Sequence, residues 1–259
     1  MAGPLRPVRR IEGLEKLPAW KGGLLPGGSA ARTPQERRLQ TMQFNVMERN
    51  LSNIMDMSTP AEVRAGEEWY PKAHEDARRI GLLAGASRHE AVHIGAGIIS
   101  IQSPMTGWDE NLVEAHHIAT TGENLTPRVG SGVRLKRTRD WLDDPSQPVS
   151  KGGPKTRDFH ANISVPDDPH VVTIDRHAHD ATTGWSISGE ERGIDTRNRR
   201  YTNLQRMYRD IGAAKGVLPS VAQAQVWGTY KRLKGDRNMG KTFHEHLAET
   251  QQLDQWESL

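Results

Sequence analysis

The 259-residue sequence contains no cysteine. That excludes disulfides, thiol nucleophiles and any thiolate-held zinc or iron–sulfur centre, and it fits a reducing, intracellular setting. Aromatic residues make up only 5% of the chain and hydrophobic residues 35%, with a mean hydropathy of -0.71. A sizeable core is still within reach at this length, but part of the chain must be surface, tail or loop. No apolar run approaches the roughly twenty residues that a membrane helix needs. The basic N-terminus carries Arg6, Arg9 and Arg10 with no apolar stretch behind them, so no secretory leader is expected. Excess charge is small: the net charge is +3 and the pI about 9.2, compatible with a polyanionic partner without requiring one.

What is present reads as helix. Residues 1–32 are rich in Gly, Pro and Arg without a period, and are expected to form an extended or disordered arm. Thr33-Pro34-Gln35-Glu36 is a helix start: a capping threonine, a proline suited to the first position, and a glutamate placed to close a capping box. Leu39, Met42, Val46 and Met47 then fall on one face. Thr59 to Glu62 repeats the start signal and Ser87 to Glu90 gives a third, while Pro71 is expected to mark a break or a new first turn. The most apolar stretch, Ala91 to Ile101, suits a buried strand by composition, but its length and the preceding cap favour a central helix. Trp108 to Ala119 is expected as another helix, with His116 and His117 partly exposed on it.

Val129 to Leu142 reads as a basic helix whose Arg134, Lys136, Arg137 and Arg139 form either a solvated face or a phosphate-contacting one. Residues 185–196 read as a loop. Tyr201, Leu204, Tyr208 and Ile211 form a helical stripe that stops at Lys215-Gly216, its aromatics expected in the core. Pro219 to Leu233 follows as a helix. Phe243, Leu247 and Leu253 suggest a last amphipathic helix. The expected organisation is therefore an all-α, two-lobed body over residues 33–235, with a basic segment and helix at 236–259.

The chemistry-bearing residues concentrate between Ser150 and Asp180. Gly152-Gly153-Pro154-Lys155 is a glycine turn leading into a helix, whose outward N–H groups suit a phosphate. Lys155 would project from the first turn, where the positive helix end favours its neutral, nucleophilic form. Its bland alternative is a surface lysine after an ordinary loop. Asp175 follows the apolar Val171-Val172-Thr173-Ile174 and precedes a helix, a position for an N-cap as well as for a fixed catalytic carboxylate. His177-Ala178-His179-Asp180 has the look of a metal-ligand run, but on a helix the two histidines diverge by about 200 degrees.

Two of these segments together resemble the helix-hairpin-helix DNA glycosylases of the endonuclease III type. In that family a Gly-x-Gly hairpin precedes a lysine and a small residue, and about twenty positions on come an apolar residue, Asp, a variable residue and His. Lys155-Thr156 and Ile174-Asp175-Arg176-His177 match that order, and Ile99-Ser100-Ile101-Gln102 looks like the family's Leu-Ser-x-Gln helix end. The likeness covers roughly residues 60–230 through motifs rather than continuous similarity. The family's Leu-Pro-Gly-Val-Gly hairpin is replaced by Val149-Ser150-Lys151-Gly152-Gly153, and the iron–sulfur cluster of many relatives has no ligands here.

The resemblance implies a monomeric enzyme without a cofactor, acting on double-stranded DNA with a nucleotide flipped between two helical lobes. Lys155 would attack the sugar and Asp175 support departure of the base. Gln102 would fill the gap, and Gly152, Gly153, Thr156 and His177 would contact DNA. The outcome would be the hydrolase or lyase chemistry of DNA repair, or the base modification carried out by divergent phage members of the superfamily acting in the host cytoplasm. A His/Asp metal-dependent hydrolase and a non-catalytic DNA-binding protein are the readings from other classes.

Overall fold

A computed structural model of the chain describes residues 11–17, 31, 33–104, 106–125, 130–149, 153–184, 199–236 and 241–259. Every regular element among them is a helix. In chain order these are α1 (Pro34–Asp56), α2 (Pro60–Leu83), α3 (Ala91–Gln102), α4 (Trp108–Thr121), α5 (Ser131–Leu142), α6 (Pro154–Ser164), α7 (Arg176–Thr183), α8 (Arg199–Lys215), α9 (Pro219–Lys234), α10 (Phe243–Glu249) and α11 (Leu253–Glu257). No helix among the described residues is long and apolar enough to cross a membrane.

The chain divides into two compact units. The first combines Met1–Trp69 with Pro169–Arg237, and the second combines Tyr70–Asp168 with Asn238–Leu259. The start signals act as the sequence requires. Glu36 N–H donates to Thr33 Oγ1 and Thr33 N–H to Glu36 Oε2, which closes the box on α1. Thr59 and Glu62 do the same for α2. Ser87 and Glu90 also bond reciprocally, but in a turn ahead of α3 rather than as its cap.

Pro71 breaks nothing: α2 runs through it from Pro60 to Leu83. An interior proline costs a helix roughly 3 kcal/mol. Here it is followed by Ala73, Ala77 and Ile80, all fully buried, and preceded by buried Tyr70, so packing on both sides offsets the lost hydrogen bond. Met42 also departs from expectation. It is 54% exposed, because the buried face of α1 begins only at Gln43.

In the first unit the core joins α1, α7, α8 and α9. Part of the segment expected as an arm lies on it: Ile11, Leu14 and Leu17 are buried. Asn50 on α1 fastens that segment, accepting from Glu15 N–H at 2.7 Å and donating to the carbonyls of Glu15 and Thr182, both at 2.9 Å. A buried amide with all these groups satisfied ties three separate stretches of chain together.

In the second unit α3 is the central element, packed by α4, α5 and α6. Its glycines set the spacing. A Cβ on Gly95 would overlap the Ala77 carbonyl, and one on Gly97 would run into the Trp141 ring. The C-terminal stretch forms two short helices rather than one, divided around Gln251, whose φ is 58°. Its anchors are Phe243, Leu247 and Trp256 rather than Leu253. Phe243 and Trp256 enclose His116, which is buried, not partly exposed, because α10 and α11 cover α4.

Candidate functional site

In the second unit, α6 starts where the sequence places it. Gly153 precedes it with φ 93°, a backbone that disfavours any other residue, and Pro154 takes the first helical position. Lys155 follows, half-buried, in the first turn. Thr156 is buried and walls a cavity with an empty volume of about 520 Å³, mouth included, together with Ile101, Trp141, Arg137 and Pro148. Phe159 and Ile163, three and seven positions on and on the same side of α6 as Thr156, are buried with Asn162. His160 Nε2 lies 3.2 Å from the His93 carbonyl, and burial, then neighbouring His93, pushes its pKa down to about 4. The expected hairpin itself, with Gly152, lies outside the described residues.

Gln102 is not at a rim. It ends α3 with 1% of its surface exposed, and its Nε2 donates to Thr138 Oγ1 at 2.8 Å. The helix end packs on α5, so the amide serves the interior of this unit and has no exposed face to offer a duplex.

In the first unit, the stretch before α7 is held without becoming a strand. Val172, Thr173 and Ile174 are buried. Their backbone is bonded by side chains of α8 spaced four apart: Gln205 Nε2 donates to the Val172 carbonyl at 2.9 Å, Arg209 reaches the His170 carbonyl at 3.1 Å, and Tyr201 Oη accepts from Ile174 N–H at 3.4 Å. Buried backbone needs partners, and α8 supplies them. Asp175 follows as the N-cap of α7, its Oδ1 accepting from Ala178 N–H at 2.7 Å. Oδ2 has no hydrogen-bond partner among the described residues.

His177 sits beside two aromatics, its ring centroid 6.4 Å from that of Trp227 and 6.1 Å from that of Tyr230. Burial lowers its pKa; Asp175 opposes that shift, and Arg176 and Lys234 add to it. His179 is buried, with Nδ1 3.1 Å from Asp180 Oδ1. α7 thus sends its two histidines to different surroundings. Among the described residues no group of three or more His, Asp or Glu side chains is placed to hold a metal ion, so the metal-hydrolase reading finds no ligand set there.

Lys155 belongs to the second unit and Asp175 to the first, so neither unit alone holds the pair. Sequence reasoning missed Trp227 and Tyr230 as neighbours of His177, and Lys231 as a neighbour of Trp227. Their spacing on α9 was a readable signal for a shared face. Arg137 beside Thr156 was legible only as one charge among four on a basic helix.

No curated protein matches the chain, and no solved structure does. A family model matches residues 34–234, from the first residue of α1 to the last of α9. The chain therefore belongs to that family, described as a family of unknown function (DUF7178).

Proposed function

We propose that the chain processes a base in duplex DNA as helix-hairpin-helix glycosylases do, through Lys155 and Asp175. The observation that carries this reading is the state of Asp175. One carboxylate oxygen is locked by the cap of α7, behind a buried tripeptide bonded to α8, and the other has no hydrogen-bond partner among the described residues. A carboxylate fixed by one oxygen and open at the other is suited to stabilise a developing sugar cation or to take a proton from a nucleophile. Lys155, in the first turn of α6 after a left-handed glycine, is placed near a helix N-terminus that favours phosphate approach. Each residue is carried by its own compact helical unit.

In the reaction, Lys155 Nζ forms a bond to the sugar C1′ while the bond from C1′ to the base breaks. The base leaves with the electron pair and takes up a proton. Ring opening of the sugar then gives an imine between Nζ and C1′. Borohydride reduces that imine to a stable secondary amine, so incubation with duplexes carrying damaged or modified bases should trap a covalent adduct. Lys155→Ala should abolish the adduct. Absence of any adduct from the wild-type chain, with base release unchanged in Lys155→Ala, would remove the lysine from the mechanism. DNA binding that survives both Lys155→Ala and Asp175→Ala, with no chemistry in the wild type, would make the chain a non-catalytic binder.

A further inference from the structure

Immediately beyond Asp175, the first unit gathers aromatic rings and cations on one face. Trp227, Tyr230, Lys231 and Lys234 stand at i, i+3, i+4 and i+7 of α9, the spacing of a single helical face. The Lys231 ammonium lies 4.3 Å from the Trp227 ring centroid. Trp69 on α2 packs beside Trp227 with centroids 6.4 Å apart, and His177 approaches from α7 with the Nε of exposed Arg176 3.4 Å from its Nε2. Trp69 and Trp227 are both half-buried, so two of the chain's seven tryptophans keep part of their surface in solvent at one place.

Cations near the end of a helix have an ordinary use, offsetting its negative C-terminus. Three long cations of this unit show what ordinary pairing looks like. Arg49 meets Glu15, Lys215 meets Asp56 and Arg232 meets Glu62, each at 2.6 Å. Arg176 and Lys231 have no carboxylate partner among the described residues. Arg176 reaches only the His177 ring, at 3.4 Å, and Lys231 only the Trp227 ring. Unpaired cations around a partly open indole are the composition of a platform for single-stranded nucleic acid: the ring stacks on a base and the cations meet the flanking phosphates.

We infer that Trp227, Arg176 and Lys231 form a stacking subsite for an unpaired base of a DNA strand and its phosphates. The inference rests on the proposed function for its choice of DNA as the polyanion. The incoming base takes the place of the Lys231 ammonium over the indole, and the long lysine stem lets that ammonium swing to the adjacent phosphate. Trp69 supports the indole from α2, and His177 does so edge-on from α7.

The test measures binding of the full chain, by fluorescence anisotropy, to a short oligothymidylate and to an abasic oligomer of equal length. The oligothymidylate should bind about tenfold more tightly. Trp227→Ala should weaken it by about 5- to 100-fold, while Trp227→Phe should keep most of the affinity. The double variant Arg176→Gln, Lys231→Gln changes surface positions and should fold; it should flatten the dependence of log affinity on log salt by about 1.4, at about 0.7 per phosphate contact on a single strand. Equal affinity for the abasic oligomer, or wild-type affinity in Trp227→Ala, would overturn the subsite, as would tighter binding of oligouridylate than of oligothymidylate. Strand binding with neither a borohydride adduct nor any base release would remove the glycosylase reading and leave the subsite standing. An adduct on duplex DNA without strand binding would do the reverse.

Discussion

Asp175 carries two separable roles, and two substitutions pull them apart. As the N-cap of α7 it accepts the Ala178 N–H at 2.7 Å. Asparagine caps about as well as aspartate, whereas alanine leaves the amide orphaned at a cost of about 1 kcal/mol, within a range of about 0.5–2. Loss of the negative charge at the start of α7 adds a few tenths of a kcal/mol in both variants. Asp175→Ala should therefore melt about 2–4 °C below wild type for each kcal/mol lost, and Asp175→Asn within about 1–2 °C of it. Catalysis should not follow stability. Neither a neutral amide nor a methyl group can take a proton or supply the charge that stabilises a cation, so both variants should lose borohydride trapping by a factor of about 100 or more. Calorimetry and single-turnover trapping on the same preparations give the two readouts. Wild-type trapping by Asp175→Asn would refute the catalytic carboxylate and leave only a cap. Equal melting points for wild type and Asp175→Ala would refute the cap.

Two further expectations concern the second unit. Its titration has opposing signs: burial pushes His116 and His160 from 6.5 down to about 4, so the stability they support is complete above pH 6.5 and is lost as pH falls toward about 4. Asp76 is raised from 3.8 to about 6, by burial first, with Arg79 opposing and Glu75 and Asp109 adding; its contribution is present below pH 3.8 and is lost as pH rises through about 6. Asp76→Asn should thus melt above wild type near neutral pH and lose that advantage by about pH 4; a constant difference across the range would refute the burial argument. On packing, Gly95→Ala should cost about 1–3 kcal/mol or more, because its Cβ would overlap the Ala77 carbonyl, a backbone atom held in α2. Gly132→Ala on the open face of α5 meets nothing within 4 Å, and should be neutral or stabilise by up to about 1 kcal/mol. Matched melting points for these two glycine variants would refute the close approach of α2 and α3.

The helices were legible because their signals are local. A threonine, a proline and a glutamate in the order Thr-Pro-x-Glu are a local start signal, and the Thr33 and Thr59 boxes close as written. Pro71 misled because its penalty is local while its compensation is tertiary: Ala73, Ala77 and Ile80 continue the helical spacing past it, but their complete burial, which offsets the lost hydrogen bond, depends on helices distant in sequence. The split C-terminal helix misled in the same way. Trp256 outranks Leu253 as an anchor only because it packs at 4.9 Å from Phe243 and encloses His116.

The site follows the same division. Asp175 was legible as a cap because an apolar run ends just before it, and the structure places it there. Gln102 was legible as a helix end, but not as buried, because its partner Thr138 lies 36 positions away on α5. Tyr201 was readable as core, yet the polar members of its row, Gln205 and Arg209, gave no hint that they bond the backbone of residues 170–174. Their targets are carbonyls, which carry no side-chain signature. This has a consequence for α9. Trp227 and Lys231 stand at i and i+4, a spacing that in sequence alone fits a buried stripe as well as a binding face. What separates the two is whether each cation has a carboxylate within reach. That question is tertiary, and it is answered differently for Arg232, paired with Glu62, and for Lys231 one residue before it, which has only an indole.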